Sequence, residues 1–388
     1  MSAGHIQRRG KSSWRLKFEG ARDPKSGKRN IQYVTVHGTK REAKVKLAGL
    51  IAAVGGGSYV EPTKLTVGDH MLARVDQWEA SEAISARTAQ RYRQLANGQI
   101  IPHIGSRLVQ KLTTLDVETW HATLRASGRS RGDGGVSPRT VVHAHRTLSH
   151  ALDDAVRHGV VPRNVAKLQT PPKVQVGEMA ILDPNGIAKL IAELRGHLMY
   201  PTAIVALFTG MRLGEILALR WFNVDLDAKL IRVREALEET KAHGLRFKAP
   251  KSKAGRRAIG LPEIVVEVLR EHRRQQLELR MALGAGKPPA NALVFPDFEG
   301  GPQAPSNVSR AWGLVAEGLG IPEITLHGLR HTHASQLIEA GVDIVTIGKR
   351  LGHASPDVTL RVYAHMFRRD DGKAAAAINA DLAGSAGS

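Results

Sequence analysis

Two breaks in this 388-residue chain limit its fold more than any single element does. The first is the run Gly55-Gly56-Gly57. The second is the stretch from Pro171-Pro172 to Gly177. Consecutive glycines leave the backbone without a preferred conformation, and consecutive prolines cannot continue a helix. A chain punctuated in this way folds as separate bodies, and its length suffices for two or three. The expected segments are 1–60, 64–170 and 178–388.

The first segment reads as strands followed by a helix. Trp14, Leu16 and Phe18 alternate with Arg15, Lys17 and Glu19, the period of a strand. Pro24, Ser26 and Gly27 make a turn, and Ile31, Tyr33 and Thr35 begin a second alternating run. Thr39 opens a capping box with Glu42, and Leu47, Leu50, Ile51 and Val54 form the apolar stripe of the helix that follows. Charge is concentrated here. Residues 1–60 hold thirteen Lys or Arg against three Asp or Glu, a net of +10 and half of the chain's +20. A generally solvated surface does not lead to such clustering. A small module that grips a polyanion does, and a sheet with basic side chains on its open face suits a DNA groove. A basic protein-binding domain is the alternative.

The second segment is helical. Thr66 and Asp69 cap a helix carrying Met71, Leu72, Val75 and Trp78. Thr88 to Leu95 is a second helix, with Arg87, Arg91 and Arg93 along it. Thr114 to Leu124 is a third. Ser137 and Pro138 start a fourth, which ends at Gly159. Four such helices make one bundle. The third segment is mixed. Asp183-Pro184 starts a helix, and Ala203 to Leu219 is a helix broken at Thr209-Gly210. Leu230–Val233 and Arg257–Leu261 read as strands, the second preceded by a basic hairpin from Lys248 to Arg256. Glu263 to Leu283 is a long helix, and the chain is again helical from His327 to the tail at Ala374–Leu382. The expected class is multidomain and mainly α with small β elements.

The chain has no cysteine, which excludes disulfides, thiolate nucleophiles and cysteine-based zinc sites. No apolar run approaches the roughly 20 residues that cross a bilayer, and the basic N-terminus lacks an apolar signal core. A soluble, cytoplasmic protein without a membrane partner is expected.

Four stretches of the third segment carry chemistry. Thr209-Gly210-Met211-Arg212-Leu213-Gly214-Glu215 places an arginine after a glycine break in apolar surroundings. It is either paired on the surface, with Glu215 or Asp225, or functional. Pro250-Lys251-Ser252-Lys253 leads to Arg256-Arg257, a cationic turn. In His327-Gly328-Leu329-Arg330-His331-Thr332-His333 the first histidine, Arg330 and His331 share a helix face. Histidines at this spacing can bind zinc, but no acidic residue stands between them as in HExxH. His353 is followed, ten residues on, by Tyr363. The inventory is two arginines, a lysine, two histidines and a tyrosine, without an acidic cluster for a metal. Phosphoryl transfer needs charge on the nonbridging oxygens, a nucleophile, and a proton for the leaving oxygen. Arginine forks, a tyrosine and a lysine can supply all three.

The stretches TGMRLGEIL, PKSKAGRR, HGLRHTHAS and LGHASPDVTLRVYAH, in this order, resemble the tyrosine recombinase (phage integrase) family across residues 180–370. The resemblance implies that Arg212 and Arg330 hold the scissile phosphate and that Tyr363 attacks it to give a 3′-phosphotyrosine. It implies that Lys251 protonates the leaving 5′-oxygen, with Lys253 as the alternative. His327 would be the general acid/base, and His353 would hydrogen-bond the phosphate. It further implies no cofactor and no metal, an arm-binding domain at 1–60, a core-binding domain at 64–170, and a catalytic domain at 178–388. The partners it implies are double-stranded DNA at core and arm sites, three further copies in a tetramer, and accessory bending or directionality factors. The function read from this is integration, and excision, of a mobile element. A topoisomerase-like nicking-closing enzyme and a DNA-binding regulator with a dead catalytic domain are the alternatives.

Overall fold

The computed structural model describes residues 4–20, 30–56, 59–129, 132–175, 177, 179–250, 253–363 and 379. It separates into two compact units, residues 1–175 and 176–388.

In the first unit β1 (His5–Arg8), β2 (Ser13–Glu19) and β3 (Ile31–His37) form an antiparallel sheet in that order. Leu16 and Phe18 are buried against Ala43 and Leu47 of α1 (Lys40–Gly55), and Ile6, Trp14, Val34 and Val36 complete this small core. Ile31 and Tyr33 stand on the open face instead, about half exposed, where the Arg15 guanidinium lies over the Tyr33 ring at 4.2 Å. The Thr39–Glu42 capping box forms in full. The turn at Pro24, Ser26 and Gly27 lies outside the described residues.

A second core in this unit is mainly helical. It is built by α2 (Val67–Ala80), α3 (Ala86–Leu95), α4 (Ile101–Ile104), α5 (Thr114–Ser127) and α6 (Pro138–Arg157) around Met71, Val75, Trp120, Leu124 and Leu148. A π turn over Ala96–Ile100 joins α3 to α4, and its Gln99 carbonyl accepts from Trp120 Nε1 at 2.7 Å. Ser137 caps α6 with Pro138 at the first position.

The second unit begins with α7 (Pro184–Leu194), α8 (Tyr200–Thr209) and α9 (Leu213–Leu217). β4 (Val224–Asp225) and β5 (Leu230–Val233) follow, then β6 (Ala236–Thr240), β7 (Gly244–Lys248) and β8 (Arg257–Gly260). β4, β5 and β8 form one antiparallel sheet, and β6 with β7 a separate hairpin. The stretch from Lys248 to Arg256 is therefore not a hairpin. It crosses from one sheet to the other, because β7 pairs with β6 and β8 with β5. The helices α10 (Glu263–Ala282), α11 (Pro305–Gly318), α12 (Leu326–Glu339), α13 (Ile344–Leu351) and α14 (Pro356–Tyr363) complete the unit. Its core is centred on α8 residues Ala203 to Leu207 with Leu329 of α12. A smaller cluster gathers Ala334, Ile338, Ile347, Leu351 and Tyr363. Lys251 and, Asn379 apart, the tail Ala374–Leu382 lie outside the described residues. Among the described residues no helix is long and apolar enough to cross a membrane.

Candidate active site

The site begins where α8 stops. Gly210 ends that helix in the left-handed region, φ 64°, and a Cβ there would meet His333 and Leu351 at 2.7 Å. Only glycine satisfies both the conformation and the approach. The chain then extends through Arg212, which caps α9. Its backbone N–H donates to Glu215 Oε2 at 3.0 Å and its Nη1 to Oε1 at 2.9 Å. Glu215 is buried and also accepts both Nη groups of Arg257, at 3.1 and 2.9 Å. Burial pushes its carboxyl up, but the hydrogen bonds and charge of Arg257, then of Arg212, outweigh burial and hold it below its ordinary value. Arg257 Nε in turn donates to the Arg350 carbonyl at 2.6 Å.

Arg330, on α12, is 2% exposed. Its Nη1 donates to the Gly210 carbonyl and its Nη2 to that of Leu351 at 2.8 Å. Arg212 Nη2 donates to the Gly352 carbonyl at 3.1 Å. These carbonyls stand at the C-terminal ends of α8 and α13, where unpaired C=O groups carry partial negative charge. The Arg330 guanidinium is thus oriented by helix ends, which fix a cation without cancelling its charge, and that of Arg212 by one helix end together with the Glu215 carboxylate. Gly352 is also left-handed, φ 68°, and a Cβ on it would sit 2.7 Å from Arg257 Nη1. Four guanidiniums, of Arg212, Arg257, Arg330 and Arg350, share this neighbourhood with one buried carboxylate, Glu215.

His353 follows directly. Its Nδ1 lies 2.7 Å from Oγ1 of the buried Thr359. Burial, then the charges of Arg330 and Arg212, lower its pKa to about 4, so the ring is neutral at neutral pH. α14 brings Tyr363 back to the same place. The ring is 1% exposed, and Oη lies 2.7 Å from Nδ1 of His331. Burial pushes the phenol up to about 12 against the opposing charge of Arg330. The His331 ring meets that of His327 edge-on at 4.6 Å, and His327 itself is exposed. Arg350 donates to His333 Nε2 at 2.9 Å and to the carbonyls of Phe208 and Gly260, both at 3.1 Å.

The structure therefore links Arg212, His327, Arg330, His353 and Tyr363 in one web of contacts. Lys251 lies outside the described residues. Reading the sequence gives no chemistry to Arg257, Arg350, His331 or His333. For His331 the signal was present, since it follows Arg330 and stands one turn from His327. Among the described residues no group of three His, Asp or Glu is placed to hold a metal ion. The arrangement suits an anionic diester. It offers fixed cations, neutral imidazoles and one phenol oxygen.

Residues 181–369 match the model of the phage integrase family. An integrase of Streptomyces ambofaciens is 31% identical over 359 residues, 89% of this chain and 87% of its own length. A tyrosine recombinase XerC-like protein of Caldanaerobacter subterraneus is 24% identical over 361 residues, 88% of this chain and 90% of its own. Among solved structures, the Tn1549 transposon integrase in complex with a circular intermediate DNA has a similar fold. Its TM-score is 0.68 at 19% identity, covering 81% of this chain and 99% of that one. A lambda integrase tetramer bound to a Holliday junction gives 0.52 at 17% identity, covering 90% and 96%.

Proposed function

The chain belongs to the phage integrase family and is a site-specific tyrosine recombinase, and from that premise we propose how its residues divide the work. Arg212 and Arg330 hold the nonbridging oxygens of the scissile phosphate. Tyr363 Oη attacks phosphorus and gives its proton to His327, the general base of this step, as the P–O bond to the 5′-oxygen breaks. Lys251 protonates that 5′-oxygen, leaving a 3′-phosphotyrosine and a free 5′-hydroxyl. His353 hydrogen-bonds the phosphate, and His327, at the exposed rim, acts as general acid/base. A 5′-hydroxyl from the second DNA reverses the step and reseals the strand, so the bond energy is conserved in the phosphotyrosine.

The single observation that carries this reading is the return of Tyr363 to α12. The phenol hydrogen-bonds the residue next to Arg330, so nucleophile and phosphate-binding arginine stand in one chain and one cluster.

The segments divide the DNA between them. Residues 178–388 form the catalytic domain, and 64–170 the core-binding domain. Residues 1–60 read arm sites through the open sheet face, where Arg15, Lys17, Tyr33 and Thr35 lie. The relatives include integrases of a transposon and a prophage, and one neighbour is a tetramer on a Holliday junction. They support integration of a mobile element by copies assembled on DNA, and we extend this to excision, to four copies on two DNA sites and to accessory factors that set direction.

The test is Tyr363→Phe on a nicked suicide substrate. The variant is expected to bind core-site DNA as the wild type does and to form no covalent adduct. An adduct on the variant would assign the nucleophile elsewhere.

A further inference from the structure

The reaction as proposed leaves one polar contact of the nucleophile without a role. Tyr363 Oη lies 2.7 Å from Nδ1 of His331, a hydrogen-bonding distance, and the ring centroids are 5.7 Å apart. His331 stands on α12 between two residues already assigned to the site in different directions. Arg330 precedes it, committed to the carbonyls of Gly210 and Leu351, and His327 packs edge-on against its ring. Arg330 is held by two carbonyls, and the His331 ring lies between the edge-on His327 ring and the Tyr363 hydroxyl. The imidazole is thereby bracketed on α12, while α14, which carries Tyr363, is the element that must present the phenol to DNA.

We propose that His331 is a positioning residue for the nucleophile, its Nδ1 accepting the Tyr363 hydroxyl proton in a hydrogen bond that fixes where Oη points. The inference rests on Tyr363 being the nucleophile. The charge states agree with it. Burial, followed by the charges of His327 and Arg330, lowers His331 to about 4, so the ring is neutral and can accept at one nitrogen. The phenol, with a raised pKa, keeps its proton and donates it. A bond of this kind removes rotational freedom from the attacking oxygen before DNA arrives. An attacking atom displaced by about 1 Å can lose ~10²-fold in rate.

The experiment uses the full-length protein, with His331→Ala and His331→Asn compared on a nicked suicide substrate under single turnover. Asparagine places its Oδ1 near the position of Nδ1 and can accept the same proton. The alanine variant is expected to bind DNA with unchanged affinity and to form the adduct roughly 10²-fold more slowly. The asparagine variant should recover most of that loss. Equal loss in both variants, or no loss in alanine, overturns the proposal. A second arm uses a 5′-bridging phosphorothiolate, whose sulfur leaves without needing a proton. The alanine defect should persist there. Its disappearance would place His331 on the leaving-group side and overturn the proposal as well. Tyr363→Phe runs in parallel on both substrates, and an adduct there would refute the nucleophile assignment and the role of His331 with it, whereas a variant pattern that fails with Tyr363→Phe inert refutes the role of His331 alone.

Discussion

In the helical bundle His70, His121 and His145 are buried, with the charges of Arg74 and Asp154 acting on His70 and that of Arg146 on His145. In the second unit His331, His333 and His353 are partly or fully buried among guanidiniums. Both sets have lowered pKa values, and in both burial is the first cause. The difference lies in what each ring does with its nitrogens. In the bundle His70 Nε2 meets the Ala151 carbonyl at 2.8 Å, and His121 Nε2 lies 3.1 Å from His145 Nδ1. Those rings close a core. In the second unit the nitrogens face Tyr363, Thr359 and Arg350. A buried histidine alone therefore says little about chemistry. A nearby arginine is not enough either, since the charges of Arg74 and Arg146 act on His70 and His145; hydrogen bonds to Arg350 or to the Tyr363 hydroxyl are the informative contacts.

The sharpest break of that comparison is Arg330→Leu against His145→Leu. The first is expected to lower single-turnover cleavage roughly 10²–10³-fold, the usual loss when one charge-stabilising donor is removed, with core-site affinity little changed. The second leaves cleavage unchanged and alters only the melting temperature. A cleavage defect in His145→Leu would erase the distinction between the two sets. Glu215→Gln comes next. It leaves the buried Arg257 with an uncompensated charge and the part-exposed Arg212 without its carboxylate, so a loss of about 3 kcal/mol in denaturant unfolding is expected, together with slower cleavage. Unchanged stability would mean that the helix-end carbonyls hold these arginines without help.

Acid should act on both sets alike. His145, with a folded pKa of about 4 against the ordinary 6.5, binds its proton in the unfolded chain first. The unfolded state thus holds more protons between pH 6.5 and 4, and stability falls as pH falls through that window. The slope is at most on the order of 1.4 kcal/mol per pH unit for each such group. His331 and His353 share the window. Melting curves across it should flatten in His145→Leu, and an unaltered slope would contradict the lowered pKa. The smallest contrast is between helix caps. Thr113→Ala in the bundle should cost about 1 kcal/mol and nothing else. Asp343→Ala should also destabilise, but it should slow cleavage too, because α13 ends in the carbonyls that hold Arg212 and Arg330. Equal cleavage by the two cap variants would detach α13 from the site.

Local signals were legible in the sequence. Thr39 with Glu42 and Ser137 with Pro138 mark helix starts by side-chain chemistry that acts within one turn. β1 was not legible, since His5–Arg8 holds a single apolar residue. The β6–β7 hairpin was hidden as well. Glu238 reads as a solvent-facing residue, yet it is buried there by pairing with Arg246 and Lys248 across the strands. For the site, the motif order pointed to Arg212, Arg330, His353 and Tyr363 because each lies in a distinctive stretch. Glu215 was legible as a partner of Arg212 only because it is three residues away. The Arg257 bridge to that same carboxylate spans 42 residues, and the His331 contact with Tyr363 spans 32. Neither leaves a local pattern, because both depend on how the helices pack.

Those long spans bear on when during its life the protein becomes dangerous to DNA. Arg212 reaches the Gly352 carbonyl across 140 residues, and Arg330 reaches that of Gly210 across 120. A nascent chain still lacking α13 has Arg212 paired with Glu215 but without the Gly352 carbonyl, and one lacking α14 lacks the tyrosine proposed as nucleophile. On the assignment proposed above, a product that stops before α14 lacks the attacking tyrosine and cannot nick DNA, whatever its earlier segments bind.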